Sequence, residues 1–158
     1  MKVQVLSRAH MRIVKKEKYI LIISPNFIWL FGLLNGVAKN AKGGAMYPFI
    51  FLAKDEYYED WIINHELIHF AQQKELLFIG MWLLNIVEWL YFVLIKRYNL
   101  HDAYIMRASE QEAYRNQNNQ AYLPQRKKFQ ILKYLKDKKY FKHGKPGEII
   151  FTSKDRPK

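Results

Sequence analysis

The sequence predicts an α+β fold: one main domain over residues 1–142 and a basic C-terminal tail over 143–158. Three observations predict it. Strand-like, β-branched segments come first and helix-patterned segments follow, an order that segregates sheet from helices. Half of the 158 residues are apolar and 16% are aromatic, enough for one substantial core. No Gly or Pro lies between Glu59 and Ile79, so a long uninterrupted helix can form there.

The elements follow in order. Residues 3–7 (VQVLS) and 13–24 (IVKKEKYILIIS) read as strands. Ser24-Pro25-Asn26 is a turn signal, which makes Tyr19 to Leu34 strand, turn, strand rather than a membrane span. Phe27 to Val37 is an apolar run compatible with helix or strand. Asn40 to Gly44 is a loop. Residues 45–53 (AMYPFIFLA) form a strand, and Pro48 inside it assigns it to a sheet edge. The acids from Asp55 to Asp60 suit the first turn of a helix expected from about Glu59 to Phe78. A second helix is expected over Met81–Arg97, a third over 102–118 after a break at Tyr98–His101, and a fourth over 125–140.

Leu76 to Ile95 is apolar for 20 residues, long enough in principle to cross a bilayer. Asn85 and Glu88, three apart, share one helical face. A Glu near mid-bilayer costs about 2.5 kcal/mol or more. A core helix with a polar face is therefore expected, with Glu88 buried and paired to Arg97 or Arg107; a helix dipping into a membrane interface is the alternative.

Net charge is +12, and it is uneven. Tyr122 to Lys158 holds 12 Lys/Arg against 3 Asp/Glu, or +9, leaving +3 for residues 1–121. Such a region suits an anionic membrane surface or simple solvation, with nucleic acid a less expected partner. The N-terminus lacks the apolar run of a secretory signal, so a cytoplasmic location is expected, with membrane association through residues 76–95 or the basic tail left open. The absence of cysteine excludes disulfides and thiolate metal sites.

His65-Glu66-Leu67-Ile68-His69 is an HExxH sequence. On a helix, residues i and i+4 lie on one face, so both imidazoles can reach one zinc ion, and Glu66 stands beside the first ligand as candidate general base. With this composition a chance occurrence has a probability on the order of 1%. A third protein ligand is needed. After His69 comes Phe70-Ala71-Gln72-Gln73, without a nearby His, so that ligand is remote: His10, His101, His143 or an acid of the helix Arg107-Ala108-Ser109-Glu110-Gln111-Glu112-Ala113-Tyr114.

A carboxylate on a separate helix about 40 residues after His69 resembles the gluzincins, the zinc metallopeptidases whose third ligand is such a Glu. The pattern is most similar to the minimal gluzincins and covers about residues 45–135: AMYPFIFL, INHELIHFAQQKELLF, an apolar helix with Glu88-Trp89-Leu90, then SEQEAY. The resemblance implies a minimal zincin-like fold with an edge strand above a cleft, a zinc ion on His65, His69 and Glu110, and Glu66 as base in peptide-bond hydrolysis. It places Tyr114 where related proteins carry a ligand-orienting Asp, and leaves Glu112 as the second candidate ligand. His101, His143, Tyr104 and Tyr114 are candidate oxyanion donors. The expected partner is a peptide or protein substrate. The alternatives are a zinc-binding but inactive homologue, a membrane-associated peptidase, and a basic binding module in which HExxH is accidental. The β-prone run 148–152 either lies along strand 45–53 and occupies the cleft, adds a strand elsewhere, or is irregular.

Overall fold

The computed structural model describes residues 11–28, 42–143 and 145–151. The expected strand over 3–7 and most of the ambiguous run 27–37 lie outside these residues. The fold is α+β. Strands β1 (Arg12–Lys15), β2 (Ile20–Ile23), β3 (Gly43–Met46) and β4 (Phe49–Leu52) form a sheet of order β1-β2-β4-β3. The β1–β2 and β3–β4 pairs are antiparallel, and β2–β4 is parallel. Helices α1 (Asp60–Glu75) and α2 (Ile79–Leu90) follow. A π-helical turn, Tyr91–Ile95, extends α2. Then come α3 (Leu100–Ile105), α4 (Ala108–Asn116), α5 (Tyr122–Gln125) and α6 (Ile131–Lys136). Strands β5 (Phe141–His143) and β6 (Ile149–Phe151) close the described chain as an antiparallel pair.

One core joins the sheet to α1 through Leu21, Ile50, Leu52, Ile62 and Phe70. The other side of α1 meets α4, so this helix is buried on two sides: Ile62, Ile63 and Phe70 pack on the sheet, and Asn64, His69 and Gln72 face α4. Ala108, Ile131 and Tyr134 form a cluster that Leu76 and Leu84 join, tying α6 to α2.

Several expectations are corrected. Ser24-Pro25-Asn26 opens a helical turn over 25–28, not a reverse turn between strands: Ile28 N–H donates to Ser24 O at 3.2 Å, and Pro25 takes a first helical position, where its missing N–H costs nothing. The expected strand 45–53 is two strands. The bend falls at Tyr47–Pro48, so Pro48 breaks the run, β4 is internal, and β3 is one of the two edges of the sheet among the described residues.

The expected helix 102–118 is interrupted at Met106-Arg107. In a continuous helix Ala108 N–H would bond Tyr104 O; here it donates to Glu88 Oε2 at 2.8 Å, and Arg107 is extended. Of the expected helix 125–140 only α6 forms, and α5 ends at Gln125, because Arg126 takes an extended backbone and turns its guanidinium inward to Glu75 and Glu112. Glu88 is buried, but its cationic partner is Lys138 rather than Arg97 or Arg107.

The largest correction concerns the apolar helix. Asn85 and Glu88 do face inward, but most of the apolar side chains face outward: Leu83 is 59% exposed, Val87 63% and Ile95 69%. No single described helix is long and apolar enough to cross a membrane. Only the pair of α1 with the extended α2, bent by 109°, has the length and composition together.

Among the described residues, the tail does not lie along β3. Residues 149–151 pair with 141–143, across the expected domain boundary at 142/143. The hairpin docks on the body: Gly147 O accepts hydrogen bonds from Gln117 Nε2 and Asn118 Nδ2. Gly147 has φ of +79°, and a Cβ there would stand 3.2 Å from the Trp61 ring.

Candidate metal centre

His65 and His69 share one face of α1, as their spacing of four requires. Their Nε2 atoms are 3.1 Å apart. Glu110, in the first turn of α4, brings Oε2 to 3.4 Å from His65 Nε2 and Oε1 to 3.5 Å from His69 Nε2. Ligands placed tetrahedrally around zinc at about 2.0–2.1 Å stand about 3.3–3.4 Å from one another. The three separations match that figure, so the group could hold a metal ion. All three side chains are buried, and Glu110 Oε2 forms no hydrogen bond. Two imidazoles and a carboxylate suit zinc among other divalent metals.

Glu112 turns away. Two residues apart on a helix means nearly opposite faces. Its fully buried carboxylate pairs with Arg126, which also bonds Glu75, and accepts from Tyr122 Oη and Gln72 Nε2. Of the other candidates, His101 is exposed on α3, outside the group; His143 lies in β5; and His10 lies outside the described residues.

Two glutamines orient the imidazoles. Gln117 Oε1 lies 3.1 Å from His65 Nδ1, and Gln72 Oε1 lies 2.8 Å from His69 Nδ1. A carboxamide oxygen can only accept, so each Nδ1 carries the proton and each Nε2 turns its lone pair inward when the imidazole is neutral. Gln72 is itself held by donation to Ser109 O and Glu112 Oε2. Glu112 thus fixes the group that orients His69. Tyr114 presents its ring to His65, with centroids 4.6 Å apart at 65°. The sequence reading missed both glutamines. The signal was spacing: Gln72 is three residues after His69, and Gln117 is seven after Glu110, one and two helical turns on the same faces.

Long-range contacts place α4. Asn64 Nδ2 donates to the carbonyls of Asn116, Gln117 and Asn119 at the C-terminal end of α4, where helix carbonyls lack internal partners. At the other end, Ser109 Oγ donates to Asn85 Oδ1 and Ala108 N–H to Glu88. The polar face of α2 therefore seats the turn that carries Glu110. Arg107, also buried, donates to Glu110 Oε1 at 3.2 Å.

The sheet edge approaches from the opposite side. A Cβ on Gly43 would stand 2.8 Å from Glu66 Oε1, so the closeness of β3 to Glu66 depends on a residue without a side chain. Lys42 O accepts from Ala53 N–H, so by antiparallel alternation Gly43 and Ala45 turn their backbone groups away from β4. Gln73 of α1 covers part of this edge: its carboxamide donates to Ala45 O and accepts from Tyr47 N–H, both at 2.8 Å. Gly43 and the Ala45 N–H remain beyond its reach.

Electrostatics follow from burial and proximity. Burial raises the Glu66 carboxyl, with His65 and His69 partly offsetting it. Its Oε2 is buried and makes no hydrogen bond. For His69 burial opposes the cation, yet the facing Glu110 carboxylate prevails and pushes it up to about 9. Burial would raise Glu110, but His69, His65 and Arg107 together hold it well below the usual carboxylate range. Burial, then the nearby Glu110 charge, raises the phenols of Tyr104 and Tyr114, so both stay protonated.

No protein-family model, curated protein or solved structure matches this chain.

Proposed function

We propose that the protein is a zinc-dependent peptidase of minimal zincin type, with His65, His69 and Glu110 as metal ligands and Glu66 as general base. One observation carries the reading: a buried Glu66 carboxylate with an oxygen free of hydrogen bonds lies within an HExxH helix whose two His converge with Glu110 at zinc-ligand separations. Zinc, when bound there, supplies a Lewis acid and lowers the pKa of water towards 7.

The chain's own residues do the rest. Glu66 takes a proton from the attacking water and returns it to the leaving amine, so that one peptide bond and one water become a carboxylic acid and an amine. Burial favours this role, because it raises the carboxyl above its ordinary value and makes it a stronger proton acceptor. An extended peptide pairs with β3 at Gly43 and Ala45 N–H, next to Glu66. The Gln73 carboxamide limits how far that pairing runs.

The test is Glu66→Gln. The amide cannot accept the proton, so hydrolysis of a peptide library is lost while metal content, by elemental analysis, stays stoichiometric. A fully active Glu66→Gln protein defeats the assignment. Burial of all four side chains favours a second reading, a closed structural metal site. It predicts the same metal content with no hydrolysis by the parent protein.

A further inference from the structure

We propose that the outward face of α2 and its π-helical turn docks on an anionic lipid bilayer, with the helix lying in the headgroup plane. The inference rests on exposure and charge and does not depend on the peptidase reading. From Leu76 to Ile95 the chain has one charged residue, Glu88. Glu88 points inward to Ala108 N–H and Lys138, and Asn85 points inward to Ser109. With both turned in, neither is stranded when the outer face leaves water. That face presents Ile79, Leu83, Ile86, Val87, Leu94 and Ile95, all at least half exposed, in contrast to the buried apolar stripe of a helix in a globular core. Trp82 and Tyr91 are exposed among them, amphipathic rings suited to the headgroup level.

Charge identifies the occupant. Exposed Lys74 precedes the apolar stretch, and exposed Lys96 and Arg97 end it. Beside it lies α6, joined to α2 through Ile131, Tyr134, Leu76 and Leu84. Residues 126–139 contain seven Lys/Arg and one acid. Lys127, Lys128, Lys133 and Lys136 are exposed, and exposed Phe129 and Leu132 are interspersed with them. The acids of this region are paired: Glu75 and Glu112 with Arg126 and Glu88 with Lys138, all turned inward, and the partly exposed Asp137 with Arg115. An apolar helix face bordered by cations is the chemistry of an interfacial helix on anionic lipid. A second copy of the chain meeting the same face about a two-fold axis would bring like-charged segments together.

The experiment uses the whole protein and co-sedimentation with two vesicle types: phosphatidylcholine alone, and equimolar phosphatidylcholine and phosphatidylglycerol. Binding is expected to the anionic vesicles, with a blue shift of tryptophan emission. Lys127→Gln with Lys128→Gln lowers that partitioning about thirtyfold. Leu83→Glu with Val87→Glu lowers it about a hundredfold or more. These positions are exposed, so circular dichroism should remain that of the parent. The proposal is overturned if the anionic vesicles bind no protein, if binding survives both pairs of substitutions, or if the parent forms a dimer that Leu83→Glu with Val87→Glu dissociates while vesicles bind nothing.

Discussion

Gly43→Ala tests whether the sheet edge sits on the candidate base. The added methyl would stand 2.8 Å from Glu66 Oε1, 3.2 Å from Leu52 Cδ2 and 3.4 Å from Phe51 O. Leu52 is fully buried and Phe51 O is backbone, so the carboxylate is the group with room to move. Ordinary contact begins at 3.4 Å, so Glu66 Oε1 must retreat by about 0.6 Å. A misplacement of about 1 Å can lower a rate about a hundredfold, so about tenfold is expected here. Overpacking costs about 1–3 kcal/mol, whereas replacing Gly by Ala inside a strand returns about 0.5–1 kcal/mol. The net is a modest loss, a few degrees in Tm at about 2–4 °C per kcal/mol. The assay is kcat/KM on a cleavable peptide together with thermal unfolding and metal content, which should stay stoichiometric because no ligand is touched. A Gly43→Ala protein with parental Tm and parental kcat/KM would refute the packing of β3 on Glu66.

Two further outcomes concern the carboxylates and the histidines. Glu110→Ala is expected to lose bound metal, whereas Glu112→Ala is expected to lose stability, by about 3 kcal/mol, because Arg126 is left buried with Glu75 alone; elemental analysis and thermal melts read the two effects, and the opposite pattern exchanges the residues' roles. In the metal-free protein His69 titrates at about 9 instead of 6.5, so it contributes stability that is complete below pH 6.5 and disappears as the pH rises to about 9. Metal must displace that proton, so apparent affinity should climb about tenfold per pH unit from neutrality to about pH 9 and then level off. Calorimetry in buffers of different ionisation enthalpy reads the released proton, and a pH-independent affinity with no proton release counts against the His69–Glu110 pair.

Parts of the site are legible in the sequence because they depend on spacing within one helix. His65 and His69 on one face follow from four residues and 3.6 per turn. Glu110 and Glu112 lie nearly opposite for the same reason, but nothing local says which face meets α1. Asn64, reaching the end of α4 from 52 residues away, and Ser109, reaching Asn85 from 24 away, settle that. The break at Met106-Arg107 has no Gly or Pro to announce it. It follows from Glu88, 20 residues upstream, accepting the Ala108 amide. The orienting glutamines carried a spacing signal, yet a Gln on a helix has no chemistry of its own until an imidazole stands opposite.

By itself the sequence determined the α+β order, the long helix without a breaker, the histidine pair with its acid, and the two faces of the apolar helix. Each is set by interactions within a few residues of one another: β-branched runs, the absence of Gly and Pro, and helical periodicity. Only the tertiary structure decided orientation. It turned Glu110 towards the histidines and Glu112 towards Arg126, split residues 45–53 into two strands at Pro48, and faced the apolar side of α2 outward. The physical reason is that an amphipathic element specifies two faces but not their environments. Buried polar groups must find partners, and for Asn85 and Glu88 those are Ser109, Ala108 and Lys138, between 20 and 50 residues away along the chain.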